Sequence, residues 1–140
     1  MTHHQSIRDL MTQNPQSLRA DQPVVEAARI MRDEDAGLVP VVDGERLVGT
    51  LTDRDIAIRV VAEGKDPAAT TVREVASTDL VTIDPQQELS EALRLMAQHQ
   101  VRRLPVVEED GRLVGILAQA DVARHADEQR VGEVVEQISQ

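Results

Sequence analysis

The stretch 39-VPVVDGERLVGTLTDRDIA-57 decides the fold, because the chain says it a second time as 101-VRRLPVVEEDGRLVGILAQADVA-123. Pro40-Val41-Val42 returns as Pro105-Val106-Val107. One inserted residue later, Arg46-Leu47-Val48-Gly49 returns as Arg112-Leu113-Val114-Gly115, and Asp55 falls on Asp121. The match extends upstream at the same offset: Glu26-Ala27 pairs with Glu91-Ala92, Arg29 with Arg94 and Met31 with Met96. Two copies of one small unit predict a pseudo-two-fold object, with its sites where the copies meet.

Each copy reads as strand, helix, strand, strand, helix. Asp21 and Pro23 are helix-start signals, and Val24, Ala27, Ala28 and Met31 follow at helical spacing; Leu89, Ala92, Leu93 and Met96 repeat it. Both stripes read as core. The first helix is expected to end near Gly37. Leu38–Val42 and Arg46–Leu51 then form a hairpin across Asp43-Gly44, repeated around Glu109-Asp110-Gly111. Asp53–Val61 and Gln119–His125 read as closing helices, residues 63–67 as the linker, and Val131–Ile138 as a terminal helix.

Composition narrows the function. The 140 residues are 41% hydrophobic, enough for a globular core, yet contain no aromatic residue and carry a net charge of −10. Without aromatic platforms or a surplus of Lys and Arg, nucleic-acid binding is not expected. Absence of Cys rules out disulfides, thiol catalysis and thiolate metal sites. No run approaches a membrane span and the N-terminus lacks a signal-peptide core, so a cytoplasmic protein is expected. His3, His4, His99 and His125 show no ligand-pair spacing, and no metal site is expected. No nucleophile elbow is present, and the carboxylates follow the spacing of a solvated surface, so an enzyme is not expected. Asp33-Glu34-Asp35 closes a helix, where it opposes the dipole; the sequence assigns it no function.

Two places carry chemistry. Gly49-Thr50-Leu51-Thr52-Asp53-Arg54-Asp55 runs from a strand into a helix start, where free N–H groups suit a phosphate. Thr52 adds a hydroxyl, and Asp55 offers acceptors for a ribose diol. The same Thr-x-x-Asp spacing also reads as a capping box. In the second copy Ala118 removes the hydroxyl, while Asp121 remains. Arg102-Arg103 precedes a buried strand and suits a phosphate clamp or, equally, ion pairs with this chain's abundant carboxylates.

The repeat, the hairpin and the Gly-x-x-Thr-x-x-Asp phrase together resemble tandem CBS domains, the pair called a Bateman module, over nearly the whole chain. The layout is similar to small stand-alone bacterial two-CBS proteins of the hypoxia-response type. The resemblance implies an α/β (α+β) fold of two β-α-β-β-α repeats, residues 10–68 and 75–133, packed through their sheets about a pseudo-two-fold axis. It implies clefts for an adenosine-containing ligand such as AMP, ATP or S-adenosylmethionine, and pairing into a homodimer. One cleft would combine Thr52 and Asp55 with Arg102, the other Asp121 and Arg103 with Gly37. Val81-Thr82-Ile83, the first strand of copy two, and the matching Ser17-Leu18 region would contact the base, with Thr82 among the binding residues. The fuller Thr52/Asp55 set makes that cleft the expected better site, and with no effector domain visible a signal would pass to a separate protein partner. The alternative is a dimerisation scaffold that has lost nucleotide binding.

Overall fold

The computed structural model describes residues 6–125. The terminal helix expected over Val131–Ile138 lies outside them, as do His3 and His4. The architecture is mixed α+β: two three-stranded sheets with helices packed on them.

The first copy begins with a short helix α1 (Ile7–Leu10) and strand β1 (Thr12–Gln13), then β2 (Leu18–Arg19), α2 (Val24–Glu34), β3 (Leu38–Asp43) and β4 (Arg46–Thr52). Helix α3 (Asp53–Ile56) closes it and continues into a wider π turn over Ala57–Val61, where the Ala62 amide reaches the Ala57 carbonyl. The second copy has α4 (Val72–Val75), α5 (Leu89–His99), β5 (Arg103–Val107) and β6 (Leu113–Ala118), with residues 119–125 helical.

Both hairpins form as the repeat predicts, with β3 against β4 and β5 against β6. Gly44 and Gly111 take positive φ at the turns, a conformation that a side chain disfavours. Each hairpin also slips register at the same place, between Val41 and Val42 and between Val106 and Val107.

Three expectations are corrected. Helix α2 ends before Gly37, because Asp35 turns left-handed (φ 50°) and its amide returns to the Met31 carbonyl; Gln100 (φ 55°) does the same after α5. Ala28 and its counterpart Leu93 point outward, since the buried arc runs through Val24 and Ala27, and through Ala92 and Met96, on the other side of each stripe. The strand expected at Val81-Thr82-Ile83 shrinks to one bridge between Ile83 and Val106. The chain turns at once there, as Asp84 accepts from the Gln86 and Gln87 amides and its own amide donates to Gln87 Oε1.

One feature was not expected. The leading segments are exchanged: β1 of copy one pairs with β6 of copy two, while Ser77, after α4, pairs with Thr50 of β4 by two hydrogen bonds of 2.9 and 2.8 Å. Two more bonds tie the hairpin turns, from the Leu47 amide to the Gly111 carbonyl and from the Leu113 amide to the Glu45 carbonyl. Two aliphatic cores result. One gathers Leu18, Val24, Val39, Leu51 and Val60 with Val72 and Val75 of α4; the other gathers Ile83, Met96, Leu104 and Leu117 with Ile7 and Met11 of the first leading segment. Each copy therefore contributes its first helix to the other's core.

Candidate functional site

The crossing of the two copies leaves a cavity of about 310 Å³. Copy one supplies a wall from α2 and β3, with Ile30, Glu34, Leu38 and Pro40; copy two supplies Arg103, Ile116, Ala118 and Asp121 from β5, β6 and the helix that follows. Leu38 and Arg103 are repeat counterparts, so their presence in one cavity places it beside the pseudo-two-fold axis. The walls are largely aliphatic, which suits the face of a base, and charge is confined to three side chains.

Arg103 and Asp121 thus stand together, as the second expected cleft requires. Both are half-buried. Asp121 is ion-paired through Oδ1 with Arg124, one turn along the same helix. Arg103 makes no ion pair among the described residues. Gly37 lies between two lining residues, Ala36 and Leu38. A Cβ there would stand 3.3 Å from the Asp53 carboxylate, whose own amide bonds the Gly37 carbonyl at 3.0 Å. Gly37 is therefore small because α3 begins against it. The Arg102 carbonyl takes the matching bond from the Gln119 amide at 2.7 Å, and its side chain is exposed.

The Thr52/Asp55 pair forms the capping box. The Asp55 amide donates to Thr52 Oγ1 at 3.1 Å and the Thr52 amide to Asp55 Oδ2 at 3.0 Å. One carboxylate oxygen of Asp55 is thereby engaged in starting α3. Thr82 is half-buried beside the Ile83 bridge and is separate from the 310 Å³ cavity. Ser17 lines a different one, of about 510 Å³, under α1 and the hairpin turns. That larger space is walled by Arg8 and Arg112, but Glu108 holds both, at 3.1 and 3.2 Å, so its charges are already matched. Of these two spaces, the smaller is the better candidate on this chemical ground.

Sequence reasoning missed Ile30, which lies outside the stripe read on its helix, and Glu34, read as part of a charged run. Their signal was their distance from the hairpin: both sit on α2 one turn apart, on the side facing the opposite copy.

The CBS-domain family profile matches residues 7–62 and 72–128. The chain belongs to the CBS-domain family. CBS domain-containing protein YhcV of Bacillus subtilis is 47% identical over 118 residues, covering 84% of this chain and 83% of that protein. The crystal structure of Hypoxic Response Protein I with two coordinated zinc ions is 41% identical, with a TM-score of 0.79, over 86% of this chain and 98% of that one. CBSX2 in complex with AMP is 25% identical, with a TM-score of 0.77, over 89% and 98%. These relatives bear no catalytic name. The zinc is that protein's: among the described residues of this CBS pair, no three His, Asp or Glu side chains group as metal ligands. No helix among them is long and apolar enough to cross a membrane.

Proposed function

We propose that this CBS pair is a regulatory module that takes an adenosine-containing ligand in the Arg103/Asp121 cleft and signals to a separate protein. The observation that carries the reading is the cavity itself. It sets a half-buried guanidinium for a phosphate and a carboxylate for a ribose diol against aliphatic walls from both copies. A ligand touching both walls binds one relative arrangement of the copies better than another, and so biases it. The AMP complex of the related CBS protein supports the ligand class. Exposed Ile58 and Val61 on the π turn offer an apolar patch for pairing into a homodimer.

A specific observation favours a second reading, that of a scaffold without ligand. Both aspartates already have partners, Asp55 in the capping box and Asp121 with Arg124. Thermal unfolding followed by far-UV circular dichroism separates the two. With AMP, ATP or S-adenosylmethionine at about 100 times its dissociation constant, about 2.7 kcal/mol of added stability is expected, a rise on the order of 10 °C. The rise should shrink in Asp121→Ala. No shift with any of these at millimolar concentration selects the scaffold.

A further inference from the structure

The acidic run that ends α2 has no part in the reading above, yet one of its members faces the site. Glu34 lines the cavity with Arg103 and Asp121. The Asp121 charge is matched by Arg124, whereas Glu34 and Arg103 make no ion pair among the described residues. The cleft thus presents one unmatched cation and one unmatched anion. The C-terminal end of α2 adds partial negative charge on the Glu34 side. A space of about 310 Å³ is about 8 Å across, comparable to the screening length of about 8 Å in physiological salt, so Glu34 acts on whatever occupies it.

We infer that Glu34 is a specificity-determining residue that limits the ligand to an adenosine bearing at most one phosphate. Arg103 offsets part of a monophosphate's charge, about −1.5 to −2 at neutral pH. A triphosphate brings further negative charge with no second unpaired cation among the described lining residues to meet it, and meets Glu34 instead. The small volume acts in the same direction, since it lies at the low end for ligand pockets. This inference rests on the cleft being an adenosine site and goes further by naming which members of that class it admits.

The test is isothermal titration of the full chain with adenosine, AMP and ATP, without divalent cations so that phosphate charge is unmasked. The wild-type protein should bind AMP at least about tenfold more tightly than ATP. Glu34→Gln should raise ATP affinity roughly three- to tenfold more than AMP affinity and leave adenosine within about twofold. Arg103→Ala should weaken AMP while sparing adenosine. Glu34 is exposed on a helix end, so folding is not at risk, and matching circular dichroism spectra check it. Equal or tighter ATP binding by the wild type overturns the inference, as does a Glu34→Gln effect of the same size on all three ligands; either leaves the adenosine site standing. If none of the three binds, the cleft reading falls and this inference with it.

Discussion

Thr52 and Asp55 hold each other across the first turn of α3, and at the counterpart positions Ala118 and Asp121 only the carboxylate is left. Two similar aspartates therefore have different work. Thr52→Ala removes the acceptor for the Asp55 amide, and a lost cap of this kind costs about 1 kcal/mol, or about 4 °C in a chain of this size. The expected outcome is that loss in the ligand-free protein, with the rise on adding ligand unchanged. Asp121→Ala should do the reverse: a small change in the free protein, because its ion pair is exposed on the Arg124 side, and ligand binding weaker by about 1–3 kcal/mol. Titration of both variants checks the assignment. At this scale the sequence displayed the chemistry twice and ranked the Thr52/Asp55 copy first. Thr52 and Asp55 look the fuller set in a list of residues, but a capping box and a ligand site use the same atoms. The cavity lined by Asp121 is the observation on which the proposal rests.

At the scale of elements, the helices and hairpins were legible because each is set by local spacing and turn residues. The exchange of leading segments was not, because pairing Thr12 with Ile116 spans the whole chain. A signal did exist: Ile7-Arg8-Asp9-Leu10-Met11 matches Val72-Arg73-Glu74-Val75-Ala76 at the repeat offset, so the repeat begins earlier than the first strands. The exchange makes two glycines unequal. A Cβ on Gly115 would run into Met11 Sδ and stand 2.9 Å from the Thr12 carbonyl, so β1 itself must move. On Gly49 the nearest atom is the Ser77 carbonyl at 3.1 Å. Gly115→Ala should cost about 1–3 kcal/mol and Gly49→Ala less, as denaturant midpoints at equal slope will show. The second leading helix has a titratable hold. Glu74 accepts from the Thr71 amide (2.7 Å) and hydroxyl (3.1 Å), and these bonds keep its carboxyl below the usual range. A carboxyl lowered on folding stabilises the folded state above its unfolded pKa, and that contribution is lost as pH falls through the folded value. The stability gap between wild type and Glu74→Gln should be widest at neutral pH and close in acid. A gap that does not change with pH would remove Glu74 from the linkage.

At the scale of the whole molecule, the two copies are not two domains in the energetic sense. Ile7 and Met11 complete the core of copy two, and Val72 and Val75 complete that of copy one. Removing either copy strips the other of a buried helix and opens the edge of its sheet at Thr50 or Ile116. A half of about 60 residues is marginal on its own, and the loss of a core helix takes it further from stability. Unfolding should therefore be one transition, with equal calorimetric and van't Hoff enthalpies. Val39→Ala cuts into one core and Leu104→Ala into the other, at fully buried positions. Each should lower the same single Tm, the leucine by the larger amount, about 2–5 kcal/mol. Two resolved transitions, each moved by only one of the variants, would show that the exchange does not couple the copies. The ligand reading depends on that coupling: a ligand gripping one wall from each copy can bias the whole molecule only if the walls move as parts of one body.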